Sequence, residues 1–223
     1  MQKQIRLNKF LAERLGVSRR EADELISAGK VIVNDKTAVT GVKIDKNDKV
    51  CYNDKIVPFD TEFSYLAFNK PVGYVCSRRA QGSAPTLYEL LPDEFQKLKT
   101  VGRLDKDSSG LILLTNDGDF AFQMTHPKFH KEKVYEVELD KTLEPLHQQM
   151  ISDYGVMLDD GVSKFTIVRD KKQYIVKLTE GRNRQIRRTF AALGYKVTKL
   201  HRTQFGKYQL GNLAFGKYDI IKV

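Results

Sequence analysis

The stretch Gly102-Arg103-Leu104-Asp105-Lys106-Asp107-Ser108-Ser109-Gly110 runs straight into Leu111-Ile112-Leu113-Leu114. Four consecutive aliphatic residues behind a glycine-bounded loop predict a buried strand. A loop gripped by a core strand can hold a reactive side chain at fixed geometry, which singles out Asp105. The same residues also fit a surface turn whose Asp caps its own backbone. Further strand-like runs lie at 65–68, 134–139, 165–168, 174–178 and 196–200, mostly followed by strands rather than by regular helices. The expected fold class is therefore α+β, with a mixed, largely antiparallel sheet. Helices near 120–124, 143–152 and 184–193 would cover it.

The second half carries a basic, acid-free segment. From 181 to 218 there is no Asp or Glu, whereas Arg182, Arg184, Arg187, Arg188, Lys196, Lys199, Arg202, Lys207 and Lys217 all fall inside it. The whole chain has a formal net charge of +10. Such a stretch would repel itself in a compact fold unless it faced a polyanion, which points to a nucleic-acid groove. A solvated cationic face is the plainer alternative. Ile186, Phe190 and Leu193 recur at helical spacing, and Arg187 borders that stripe. Its stem can stay in apolar surroundings while its guanidinium enters a cleft as partner to a carboxylate.

The N-terminal third reads as a separate small module. Leu7, Phe10, Leu11 and Leu15 have helical spacing, with Lys9 and Arg14 off that face. Ser18 and Glu21 form a capping box for a second helix, whose apolar side is Ala22, Leu25 and Ile26 and whose end is Gly29. A strand and turn follow at 30–36, and another strand lies near 50–52. Arg19 and Arg20 sit in the first turn of the second helix, where the macrodipole disfavours cations, so they answer either to a phosphate backbone or to solvent.

Two resemblances organise these pieces. Residues 5–55 resemble the S-four-type RNA-binding module through Arg6-Leu7-Asn8-Lys9-Phe10-Leu11, Ser18-Arg19-Arg20-Glu21-Ala22 and Gly29-Lys30-Val31-Ile32-Val33-Asn34. Residues 63–223 resemble the RsuA-type ribosomal RNA pseudouridine synthases. The matching motifs are Asn69-Lys70-Pro71-Val72-Gly73, the Gly102-Arg103-Leu104-Asp105 box, Lys133-Val134-Tyr135, and Glu180-Gly181-Arg182-Asn183-Arg184-Gln185-Ile186-Arg187-Arg188. The turn at Asn34-Asp35-Lys36 departs from the pattern, where a glycine is common, and the loop at 77–85 matches no particular target specificity.

The resemblance implies a module at 1–58 and a catalytic domain at 63–223 built on a central bent sheet, with the catalytic loop in a cleft across its middle. It implies isomerisation of a uridine in ribosomal RNA to pseudouridine, with the base flipped out of its stack. Asp105 would be the nucleophile or base beside the sugar, Arg187 its partner, Tyr135 the aromatic platform and Leu178 the residue packed under the base. Arg6, Lys9, Ser18, Arg19, Arg20, Lys30, Lys70, Arg103, Arg182, Arg184 and Arg188 would contact RNA, Lys70 and Arg103 either at phosphates or by positioning a loop. The form of the basic motif leans slightly to large-subunit ribosomal RNA, although the length suits a small-subunit enzyme. Transfer RNA, or a non-catalytic role in ribosome assembly, are the competing readings.

The remaining features exclude other classes. No apolar run approaches the roughly 18 residues that span a membrane, and the first residues lack a signal-peptide core, so a cytoplasmic, monomeric enzyme is expected. Cys51 and Cys76 read as small apolar residues in strand-like surroundings rather than as a disulfide. His126 and His130 are separated by Pro127, which breaks a helical ligand pair, so no metal site is expected. The isomerisation conserves the atoms of the substrate and no phosphate-cradling glycine loop is present, so no cofactor is expected.

Overall fold

The computed structural model describes residues 4–60, 62–78, 82–170 and 173–223. Thr61, between the expected module and the expected catalytic domain, and Arg79-Ala80-Gln81 of the 77–85 loop lie outside the described residues. The chain divides into two units, Met1–Ser64 with Asn116–Gly118, and Tyr65–Thr115 with Asp119–Val223.

In the first unit, β1 (Ile5–Arg6) leads into α1 (Leu7–Arg14) and α2 (Arg19–Ser27). The capping box forms: Ser18 Oγ accepts from the Glu21 amide at 3.1 Å, and the Glu21 carboxylate accepts from the Ser18 amide at 3.4 Å. Each bond satisfies an amide that the helix start would otherwise leave without an acceptor. The strands β2 (Val31–Val33), β3 (Lys36–Thr37), β4 (Lys43–Ile44), β5 (Val50–Tyr52) and β6 (Lys55–Ile56) follow. The β2–β3 and β5–β6 hairpins turn at Asn34-Asp35 and Asn53-Asp54, all four residues having positive φ. Asn and Asp tolerate the left-handed conformation best after glycine, so the departure from a glycine turn costs little here. Leu7, Phe10, Leu11, Ala22, Ile26 and Val31 belong to a core made entirely from this unit.

The second unit begins with β7 (Tyr65–Lys70), β8 (Lys99–Val101) and β9 (Ser109–Thr115), the strand expected at 111–114. All seven β9 residues are buried, and they alternate between two cores. Ile112 and Leu114 join Leu66 and Phe68 in one, while Leu111 and Leu113 join Ala67 and Val101 in the other. That is the period of two expected of a strand covered on both faces. Then come α3 (Gly118–Thr125), β10 (Lys133–Leu139), α4 (Pro145–Gln149) continuing into a π-helical turn, β11 (Val156–Leu158), β12 (Gly161–Ser163), β13 (Thr166–Asp170) and β14 (Gln173–Leu178). The chain closes with α5 (Gln185–Ala192), β15 (Val197–Phe205), β16 (Tyr208–Gln209) and β17 (Tyr218–Ile220).

The main sheet has nine strands in the order β13-β14-β10-β15-β9-β7-β17, with β16 beside β15 and β8 beside β9. Its pairings are antiparallel except β15 with β9, which meet through His201 opposite Ser109 and Arg202 opposite Gly110. The α+β class with a mixed, largely antiparallel sheet is thus what forms. The parallel junction sits where the Asp105 loop enters β9.

Candidate active site

Asp105 occupies a loop that the sheet holds by its backbone. Lys70, at the end of β7, is fully buried, and its Nζ donates to the carbonyls of Pro71 at 3.0 Å, Asp105 at 3.1 Å and Ser108 at 2.7 Å. Lys70 therefore positions the loop. Of its two expected roles this is the loop-positioning one; fully buried, it is out of reach of a phosphate and does not belong among the RNA contacts. The Cys76 thiol spans the amide and carbonyl of Leu104, and the Gly73 amide donates to the Lys106 carbonyl at 2.8 Å. Cys76 lies outside the named strands, contrary to its expected surroundings. Lys70, Gly73 and Cys76 thus hold the loop through its backbone and leave the Asp105 side chain unengaged by them.

The carboxylate of Asp105 is a third exposed and faces a cleft of about 340 Å³. The cleft is also lined by Arg103, Tyr135, Leu178, Arg184 and Phe205. Tyr135 and Leu178 are buried in β10 and β14, where the cross-strand pairs Tyr135–Val176 and Lys133–Leu178 place them two register positions apart, as diagonal neighbours. Arg103 is exposed and has no ion pair among the described residues.

The guanidinium beside Asp105 belongs to Arg184, 3.6 Å from its carboxylate, and not to Arg187 as expected. Arg184 has φ +47 at the start of α5 and forks onto Asp107, with both N···O distances 2.9 Å. That bidentate hydrogen bond is the main reason the Asp107 carboxyl titrates below its ordinary range. Arg187 is turned to the same loop from behind. It donates to the carbonyls of Val197 at 2.9 Å and Asp107 at 2.7 Å, and its Nε lies 3.3 Å from the Asp107 carboxylate. The apolar stripe fixed which face of the helix Arg187 borders. It did not fix which carboxylate of the loop the side chain meets.

The acid-free segment is not self-repelling in the fold, so self-repulsion is not what would place it against a polyanion. Arg182 pairs with Asp160 and Glu180, and Arg188 pairs with both Asp159 and Asp160, supplied by the turn between β11 and β12. Lys199 sits between Glu136 and Glu138. Carboxylates distant in sequence neutralise much of the cationic run, so Arg182 and Arg188 are engaged by protein rather than free for RNA. In the first unit Arg6, Arg19, Arg20 and Lys30 are exposed, Lys9 lies 3.9 Å from Glu13, and the Ser18 hydroxyl oxygen serves its helix cap. Among the described residues no three His, Cys, Asp or Glu side chains converge as metal ligands, and no helix is long and apolar enough to cross a membrane.

Burial holds two lysines low. Lys70 is brought down to about 8, and Lys133 likewise to about 8 by burial and by the neighbouring Arg202. An unfolded chain keeps both protons to about pH 10.4, so between these values it binds more protons than the folded one and stability rises with pH. The Cys76 thiol, raised by burial, acts oppositely from about pH 8.5 upward. Urea unfolding should therefore show stability increasing between about pH 7.5 and 8.5, with roughly half of that slope lost in Lys70→Met. A flat profile in the parent protein would contradict the assignment.

Comparison with known proteins agrees with this architecture. Residues 64–192 match the model of the RNA pseudouridylate synthase family, and residues 5–57 match the S4 domain. Ribosomal small subunit pseudouridine synthase A of Pasteurella multocida (strain Pm70) is 38% identical over 221 residues, covering 96% of this chain and 94% of that protein. Ribosomal large subunit pseudouridine synthase B of Bacillus subtilis (strain 168) is 34% identical over 220 residues, covering 95% and 89%. A crystal structure of a pseudouridylate synthase superposes with a TM-score of 0.70 at 33% identity, covering 98% of this chain and 96% of that one. A sheet-held Asp loop opening on a Tyr- and Leu-lined cleft, a family match over more than half the chain and relatives of nearly equal length lead to one assignment: the chain belongs to the RNA pseudouridylate synthase family and carries an S4 domain on its N-terminal side.

Proposed function

We propose that the protein isomerises a uridine of ribosomal RNA to pseudouridine, with Asp105 as the nucleophile or base beside the ribose. The observation that carries this reading is the backbone-anchored Asp105 loop facing Tyr135 and Leu178 across one cleft. The reaction breaks the bond between N1 of uracil and C1′ of ribose, turns the base, and joins C5 to C1′. The proton on C5 is lost and N1 gains one, so atoms balance without an oxidant or energy source. A carboxylate serves here as it does in glycosyl transfer. The Tyr135 ring gives the extruded base a face to stack on, and Leu178 fills the space beside it. Arg184 stands 3.6 Å from the Asp105 carboxylate, so it can orient that group. Arg187 acts through the loop, fixing the Asp107 carbonyl against β15.

The ribosomal small-subunit synthase matches at 38% identity and is spanned more fully than the large-subunit one, 94% against 89%. This favours the small subunit over the slight sequence-based lean to the large. The test is release of tritium from C5-labelled small-subunit, large-subunit and transfer RNA transcripts. Release from a ribosomal transcript is expected. Tight RNA binding without release from any transcript would replace the enzyme reading with that of an assembly factor.

We further place an RNA-binding module at 1–58 and the catalytic domain at 63–223. The two units have separate cores, so deleting 1–58 should leave a folded enzyme with a higher KM and most of its kcat. Exposed Arg6, Arg19, Arg20 and Lys30 would position RNA through phosphates without specifying sequence. Their loss should flatten log affinity against log salt by roughly 0.7–0.9 per contact removed. An unchanged KM and salt slope would assign the module to another partner.

A further inference from the structure

Most basic side chains near the cleft have a carboxylate partner, but among the described residues two that line it and are at least partly buried, Lys133 and Arg202, do not, nor does exposed Arg103. Arg202 is 2% exposed; its Nε donates to the Leu111 carbonyl at 2.7 Å, and its Nη2 is buried without a hydrogen-bond partner. Its guanidinium carbon lies 4.8 Å from the centroid of the Phe205 ring. Lys133 Nζ lies 5.4 Å from the same centroid and reaches only the Thr179 and Glu180 carbonyls, at 3.4 and 3.2 Å. Among the described residues neither cation has a carboxylate within 4 Å, and the Glu180 side chain is taken by Arg182 and Gln185. By contrast Arg182, Arg184, Arg187 and Arg188 each have a carboxylate partner.

Cross-strand pairing explains why the two cations stand together. Lys133 is opposite Phe205 and Tyr135 is opposite Arg202 between β10 and β15. Lys133 is also opposite Leu178 between β10 and β14. The cations are thus built into the same patch of sheet as the aromatic platform. Removing two like charges from water without a counter-charge is unfavourable unless a ligand supplies one. Arg202 contributes to the low titration of Lys133, so the two sense each other. A uracil carbonyl would give a lone pair but leave the repulsion in place. A phosphate oxygen supplies both acceptor and charge, and suits an Arg and a Lys side by side.

We propose that Lys133 and Arg202 form an anion site that takes a phosphodiester of the RNA next to the nucleotide stacked on Tyr135. This rests on the reading of the cleft as the synthase site and adds a second point of attachment to it. Lys133 and Arg202 are positioning residues, and Asp105 keeps the chemistry.

The test compares Lys133→Gln and Arg202→Gln with the parent protein. Each is made also in an Asp105→Asn background, so that binding of ribosomal RNA transcripts is read without turnover. For Lys133→Gln the expected results are an unchanged or raised Tm, a KM higher by about tenfold, and a salt slope lower by roughly 0.7–0.9. Millimolar inorganic phosphate should raise the Tm of the parent protein and not that of Lys133→Gln. An unchanged slope at normal Tm, or a lowered Tm with a normal slope, overturns the proposal, since the pair would then serve packing alone. Arg202→Gln also loses its bond to Leu111; if it unfolds, Lys133→Gln decides by itself. If the parent protein binds RNA but releases no tritium, the enzyme reading falls, while the slope still judges the anion site.

Discussion

Asp105→Asn should bind ribosomal RNA within a few fold of the parent protein and yet form no pseudouridine. The amide keeps the shape of the carboxylate and the hydrogen bonds that hold the loop, because those run to the Asp105 carbonyl and not to its side chain. What is lost is the anion needed at the sugar. A missing nucleophile or base should lower single-turnover tritium release by at least about a thousandfold, or ~4 kcal/mol in transition-state stabilisation. A matched Asp107→Asn variant separates the two acids of the loop. Asp107 meets the guanidinium groups of Arg184 and Arg187 and, on the proposed reading, takes no part in the reaction, so its loss should be partial. Release by Asp105→Asn near the parent rate, with Asp107→Asn inactive, would transfer the catalytic role to Asp107.

The second large effect is structural. Gly110, the second residue of β9, has φ +108 and lies opposite Arg202 at the parallel junction of the sheet. A Cβ there would sit 2.5 Å from the Arg202 amide nitrogen and nearer still to its carbonyl oxygen. Backbone atoms of a central strand cannot turn aside as a side chain can. Gly110→Ala should therefore combine backbone strain with overpacking, for a loss of roughly 3–6 kcal/mol or about 6–20 °C in Tm. Gly211→Ala is the control, since Gly211 has φ +57 with nothing within 4 Å of the added carbon. It should cost about 1 kcal/mol. Similar losses for the two variants would show that the close approach to Arg202 is not what selects glycine at 110.

Local patterns made much of this legible before any coordinates. The capping box at Ser18 and Glu21, the buried run at 111–114 and the helix carrying Ile186 and Phe190 are set by neighbours in sequence, and they form as read. What the sequence could not place is pairing across long separations. Asp107 and Arg184 are 77 residues apart, Arg188 and Asp159 are 29 apart, and nothing in their spacing announces either partner. For that reason the self-repulsion expected of the acid-free segment does not arise, because its charges balance in space and not along the chain. Lys70 did carry a readable signal. It closes the otherwise apolar and neutral strand Tyr65–Lys70, where a lysine must find several acceptors or leave the core. Arg202 carried no such signal, since its neighbours inside β15 are His201 and Thr203.

The central claim is that this chain makes pseudouridine in ribosomal RNA with Asp105. It is tested most directly by mapping pseudouridines in ribosomal RNA from cells that lack the gene, complemented with either the parent protein or Asp105→Asn. The account predicts a site that disappears on deletion, returns with the parent protein and stays absent with Asp105→Asn expressed at the same level. An unchanged map on deletion, or full return of the site with Asp105→Asn, would contradict it.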